Sequence, residues 1–342
     1  MHDEEGRRSS VKLPMRLGLG QFSDITGERL TFIRQLGVVD VLLNTPTLPG
    51  ETYWEYEDLL GLRTRIEDAG LRLAAIENVP LSFYDKAMLG LPGRDEQIRH
   101  MMTTIRNLGR AGIPILGYHW MPNGVWRTGV SSTGPGGARV SSFDLEAARS
   151  APLTHGREFA LEEMWDAYAY FMSAVLGAAQ EAGVRLALHP DDPPVESLGG
   201  IPRLFRNFAG FQRAMELADS PMHGLDFCVG SWSAMETDVL GALRSFGERG
   251  KIVYVHFRDV QGVVPRFQEC FLNQGNCDML AVMRTLKEVG FSGFVIPDHV
   301  PYLIEDRPWR DQDGTSNAGG YLGRAHAIGY MSALLDVVNS LD

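Results

Sequence analysis

One phrase recurs along this chain and restricts what it can fold into: an amphipathic stretch, then Ala-Gly or Val-Gly, then a short apolar run. It is read in DAGLRLAAIE, RAGIPILGY, EAGVRLALH and EVGFSGFVI. A glycine at the end of a helix takes the left-handed conformation that other residues resist, and the chain then turns into a strand. A strand that is apolar throughout is one buried on both faces, as parallel strands beneath helices are. The strands read this way are 16–19, 38–43, 72–77, 114–118, 184–189, 224–228, 251–256 and 293–297. Helices are expected at 27–36, 56–69, 95–111, 161–182, 202–218, 237–249, 279–289 and 323–338. Such alternation specifies an α/β fold and predicts a (β/α)8 TIM barrel. A doubly wound sheet would carry a phosphate-binding fingerprint after its first strand, and LGLGQFSD lacks the third glycine.

The 342 residues suffice for one barrel with insertions, so residues 15–342 are read as a single catalytic domain and 1–14 as a loose tail. Two segments, 122–158 after strand four and 301–320 after strand eight, exceed simple connections and are expected to be lids or binding loops. A net charge of −11 argues against a broad nucleic-acid footprint. No apolar run reaches the ~20 residues of a membrane span. Cys228, Cys270 and Cys277 are too few for a disulfide framework, so a reducing, cytoplasmic location is expected.

Function in such a barrel sits where strands end. Strand five ends in LALHPDDPP, delivering His189; strand six in LDFCVGS, delivering Cys228. Strand seven ends in VYVHFRD, giving His256 and Arg258, and strand eight in FVIPDHV, giving Asp298 and His299. A lone strand-end histidine or cysteine is usually structural. Four successive strands each offering a donor point instead to a divalent metal held by His189, Cys228, His256 and Asp298. Thiolate and imidazole suit zinc or ferrous iron, whereas manganese prefers oxygen.

Arg258 shares a side with His256, and its guanidinium would suit a substrate carboxylate or an ion pair with Asp259. His299 is a candidate proton carrier. Tyr321, in GGYLGR, is either a second one or an ordinary loop aromatic. Asp191 and Asp192 read as substrate contacts or turn formers. Glu77, Asn78, Tyr118 and His119 end strands three and four and are expected to face the mouth. Trp120 and Trp126 would wall a sugar-like ligand or anchor the following loop, while Cys270 and Cys277 are read as packing residues.

Together these residues resemble the mannonate dehydratase family, a branch of the xylose-isomerase-like barrels. The resemblance rests on RTRIEDAGLRLAAIENVP, TIRNLGRAGIPILGYHWMP, GVRLALHPDDPP, DFCVGS, VHFRDV, GNCDM, PDHV and a GY followed by GR, scattered from about residue 60 to 324. It implies a manganese-dependent dehydration of D-mannonate to 2-keto-3-deoxy-D-gluconate, with His189, Cys228, His256 and Asp298 as ligands and His299 and Tyr321 as the proton-transfer pair. Arg258, Asp191, Tyr118 and His119 would contact the sugar acid, and a homo-oligomer is expected. The chain departs from the family pattern at several places. NTPTLPG around Asn44 replaces paired histidines, Ile296 an arginine, Val300 a glycine and His119 an asparagine. These departures leave two rival readings: a sugar isomerase or epimerase of the same fold, and a sugar-binding barrel without catalysis.

Overall fold

The computed structural model describes residues 14–131, 134–308 and 319–340. The expected tail, up to residue 13, and the centre of the loop after strand eight, 309–318, lie outside the described residues. Eight parallel strands close into a barrel: β1 (Arg16–Phe22), β2 (Asp40–Asn44), β3 (Arg72–Glu77), β4 (Ile115–Tyr118), β5 (Arg185–Leu188), β6 (His223–Cys228), β7 (Ile252–His256) and β8 (Phe294–Ile296). Each pairs with its neighbours in chain order, and β8 closes on β1. Around them lie α1 (Gly27–Gln35), α2 (Tyr56–Asp68), α3 (Arg94–Arg110), α4 (Leu161–Ala182), α5 (Phe208–Leu217), α6 (Val239–Gly247), α7 (Met279–Glu288) and α8 (Tyr321–Asn339). The glycines of the recurring phrase behave as expected: Gly70, Gly112, Gly183 and Gly290 have φ of 73°, 72°, 67° and 67°.

Register sets the functional ends level with one another. Asn44 lies opposite Glu77, Cys228 opposite His256, and His256 opposite Ile296. Below that level the interior is filled by Leu42, Ala74, Ala75, Ala187, Val253, Tyr254, Phe294 and Ile296. Small residues make room for the large ones. A Cβ on Gly117 would come within 2.1 Å of the Tyr254 hydroxyl, and one on Gly18 within 2.9 Å of Ile296. Tyr254 thus reaches across the barrel to β4.

The structure corrects several expected boundaries. β1 runs on to Phe22. α5 starts at Phe208 rather than 202, because Ile201–Pro202 pairs with Ser197–Leu198 and the Asn207 side chain caps the new helix through the Gly210 N–H at 2.9 Å. The insertion after β4 is no loose loop. Its strands Gly129–Ser131 and Val140–Asp144 join a hairpin after β7, Val260–Val263 and Arg266–Glu269, in a four-stranded antiparallel sheet over the barrel mouth. A backbone bridge from Arg139 to Tyr302 ties this sheet to the segment after β8.

Outside the barrel wall, His223 is completely buried. Its Nδ1 donates to the Ala218 carbonyl at 3.0 Å, so Nε2 accepts from the Tyr118 hydroxyl at 2.9 Å. Burial, which disfavours the charged ring, lowers its pKa from 6.5 to about 4. The folded protein keeps this ring neutral while the unfolded chain takes up a proton, so acid favours unfolding. Denaturation of the wild type should lose about 3 kcal/mol through this group as pH falls from 6.5 to about 4, a slope His223→Gln should remove.

Candidate functional site

His189 follows β5, and its backbone N–H is fixed on the Tyr118 carbonyl at 2.8 Å. Its Nδ1 lies 2.6 Å from the Pro190 carbonyl, which can only accept. Nδ1 therefore carries a proton, and Nε2 is the nitrogen left for the centre. His256 is fixed in the opposite sense. Its Nε2 donates to Glu77 Oε2 at 2.8 Å, and its buried Nδ1 has no hydrogen-bond partner among the described residues. That orphaned nitrogen lies 3.7 Å from Asp298 Oδ2. Cys228 Sγ is 4.0 Å from the same oxygen, and single donor atoms of His189, Cys228 and His256 all fall within 4.8 Å of one another. The four residues read from the strand ends do converge. Two imidazoles with their other nitrogens held by protein acceptors, a thiol and a carboxylate make a set that fits a divalent transition metal.

Electrostatics agrees with the geometry. Burial alone would raise the Cys228 thiol, but the adjacent Arg258 and the two imidazoles bring it well below its ordinary value. Burial would lower both histidines. Instead Asp226 and Cys228 raise His189 to about 9, and Asp226, Glu77 and Asp298 push His256 well up. The pocket is negative enough to draw in positive charge, in the form of protons or a metal cation.

Glu77, at the end of β3, is the acceptor behind His256. Its carboxylate also accepts from Gln21 Nε2 at 3.1 Å, Asn44 Nδ2 at 3.0 Å and the Tyr254 hydroxyl at 3.2 Å. Burial raises its pKa, but His256 outweighs that and keeps it ionised. Gln21, Thr45 and Asn78 sit at the ends of β1 to β3 with φ of 67°, 46° and 62°, a left-handed conformation uncommon for such residues. Backbone strain of this kind clusters where side chains must be aimed.

Arg258 differs most from its sequence reading. A substrate carboxylate was expected on its guanidinium, yet every donor is taken. Nε meets Asp298 Oδ2 at 2.9 Å and Cys228 Sγ at 3.2 Å. Nη1 grips both oxygens of Glu269, at 2.7 and 2.9 Å. Nη2 donates to Asp192 Oδ2 at 2.8 Å and Ser231 Oγ at 3.0 Å. Arg127, from the loop after β4, adds a second guanidinium on Asp192 at 2.7 Å and Glu269 at 2.6 Å. The pKa of Glu269 is about 2, its burial outweighed by Arg258, His299 and Arg127. His299 Nδ1 lies 2.8 Å from Glu269 Oε1 and 3.3 Å from Arg127 Nη2; the shorter contact, to a carboxylate that can only accept, makes Nδ1 the donor. Its Nε2 is left toward Asp298 Oδ1, 3.7 Å away, on a side chain still 15% exposed.

The other expected site residues divide. His119 accepts from the Met121 N–H at 3.1 Å through Nδ1. Burial, then His189 and Arg203, lower its pKa to about 3, so it is a neutral ring beside the centre. Tyr118, expected at the mouth, turns outward to His223 and to Tyr168 of α4. Strand alternation explains this: Gly117 faces inward toward Tyr254. Asp191 accepts from the Phe205 N–H at 2.6 Å and lies 3.5 Å from Arg203, tying down its own loop; burial raises its pKa to about 6. The Tyr321 ring packs at the start of α8 against Phe32 of α1, centroids 4.8 Å apart, with Arg307 over it. Trp120 is buried among Tyr84, Tyr168 and Phe171, and Trp126 donates to the Asn123 carbonyl, so both anchor structure. Arg127 and Glu269 were missed; the only signal was the alternating VQGV and RFQE runs on either side of Val-Pro.

Removing one partner from a buried ionic cluster strands the others. Arg258→Met should lower unfolding stability by about 3–5 kcal/mol in urea denaturation, more than the loss of any exposed ion pair.

A model of the D-mannonate dehydratase (UxuA) family matches residues 15–153 and 150–342. Mannonate dehydratase 2 of Halalkalibacterium halodurans is 30% identical over 95% of this chain and 100% of its own length. The crystal structure of mannonate dehydratase from Streptococcus suis serotype 2 superposes with a TM-score of 0.85 at 30% identity, covering 95% of each chain. An L-ribulose 3-epimerase structure superposes at 0.61 with 18% identity, covering 95% of this chain and 96% of its own, a likeness of fold alone.

Proposed function

This chain belongs to the mannonate dehydratase family and is a hydro-lyase, and we propose that it dehydrates D-mannonate to 2-keto-3-deoxy-D-gluconate at the cluster of His189, Cys228, His256 and Asp298. The observation that carries this reading is the convergence of three donor atoms within 4.8 Å, one of them a buried imidazole nitrogen with no hydrogen-bond partner among the described residues. The isomerase and epimerase reading has only shared fold in its favour.

Dehydration of a 2,3-dihydroxy acid removes a weakly acidic proton from C2 and expels hydroxide from C3. A divalent cation held by the four ligands would supply Lewis acidity at the carboxylate end of the substrate, stabilising charge as C2–H is lost. Manganese, the ion implied by the resemblance, is the first to test against ferrous iron and zinc. Glu269 holds the proton of His299 on Nδ1, leaving Nε2 to accept the C2 proton. The same proton, delivered to the departing hydroxyl, completes a molecule of water, so one imidazole can serve both events. The enol that remains becomes the 2-keto acid. His119, neutral and beside His189, is suited to donate a hydrogen bond to a substrate oxygen. Arg258 and Arg127 act on the protein rather than the substrate. They keep Asp298, Asp192 and Glu269 ionised and in place.

Chelation followed by dialysis should abolish formation of the 2-keto-3-deoxy product from D-mannonate, and metal add-back should restore it. Interconversion of free sugars without loss of water would overturn the reading. His299→Gln should lower kcat by about 100- to 10,000-fold with the metal content of the purified protein unchanged. Tyr321→Phe separates the two assignments: a loss of kcat comparable to that of His299→Gln makes the phenol the second proton carrier the resemblance implies, and a rate near wild type leaves both events to His299.

A further inference from the structure

The opposite end of the barrel, where its strands begin, holds a cavity of about 590 Å³ that the reaction does not use. Three arginines line it: Arg16 from β1, Arg72 from β3 and Arg185 from β5. Arg16 and Arg72 share one carboxylate, the fully buried Asp40, with Arg16 Nε 2.8 Å from Oδ2. Arg185 is different. Its Nη2 donates to the Gly250 carbonyl at 3.0 Å, but its buried Nε has no hydrogen-bond partner. No carboxylate among the described residues lies within ion-pair distance of it. Burial lowers its pKa, with no acidic neighbour to offset the effect. Three guanidiniums against two carboxylates, Asp40 and the rim Glu248, leave a surplus of one positive charge. Glu248 is exposed at the rim and pairs with none of the three among the described residues.

A guanidinium N–H buried without an acceptor is costly, and a planar fork of such donors matches phosphate oxygens. We propose that this cavity binds a phosphate group, either inorganic phosphate or a phosphate monoester, with Arg185 as its principal donor. A phosphate is anionic at neutral pH and is drawn by that surplus. The bound group would meet the outer, Nη side of the Arg185 guanidinium and balance Arg16 and Arg72 across the cavity. The apolar layer of Ala74, Val253 and Phe294 separates it from the metal ligands.

Isothermal calorimetry on the full-length, metal-loaded protein, at ionic strength held constant with chloride, tests this with inorganic phosphate and with glycerol 3-phosphate. One saturable site per chain is expected, weakened about tenfold or more in Arg185→Gln. Tighter binding of the ester identifies a phosphorylated metabolite as the occupant; equal or tighter binding of phosphate identifies the free anion. Phosphate affinity equal to that of acetate, or unchanged in Arg185→Gln, overturns the proposal. Should that variant not fold, wild-type crystals soaked in tungstate decide it: anomalous density at Arg185 supports the site, and its absence there refutes it.

Discussion

The mouth of this barrel is held together by one guanidinium. Arg258 extends from just beyond β7 and reaches Asp192 after β5, Cys228 at the end of β6 and Ser231 beyond it, Glu269 on the hairpin beyond β7, and Asp298 after β8. On the far side of the barrel Glu77 plays the matching part, joining the ends of β1, β2 and β7 to β3. With Arg127, Arg258 sets two cations against three buried carboxylates and a thiol, so the cluster keeps excess negative charge. A buried ion cluster of this kind is poor at adding stability for its own sake. Its value lies in fixing where negative charge sits, and hence where a cation would be held.

The imidazoles show the same economy. Each candidate metal-binding histidine has one nitrogen committed to a protein acceptor, the Pro190 carbonyl or Glu77, and the other turned to the centre. His299 repeats the pattern with Glu269. Tautomer, which no histidine fixes by itself, is here set by the group behind it. The residues behind the site therefore govern its chemistry as directly as those that would touch a metal or a sugar acid.

The barrel and the four candidate ligands were legible in the sequence because both depend on local signals: glycine after a helix, then an apolar strand, then a donor at its end. The ionic cage was not legible. Asp192, Glu269 and Arg127 meet only because insertions after β4 and β7 pair as one antiparallel sheet, a contact between segments more than a hundred residues apart. Arg258 was assigned to a substrate because its own partners could not be seen. Tyr118 was misread for a simpler reason. With Gly117 facing inward, its neighbour on the strand must face the helices. The Gly117 side of β4 is empty of side chain, so sequence alone gave no sign of which parity points in.

Ile296, which stands where the family pattern has an arginine, packs with Leu42, Ala75, Val253 and Phe294 beneath the ligands and nearly touches Gly18 and Gly20. A hydrocarbon layer at that depth insulates the ionic cluster above it from the arginine-lined end of the barrel, so the two poles of one small fold can carry opposite charge without neutralising each other.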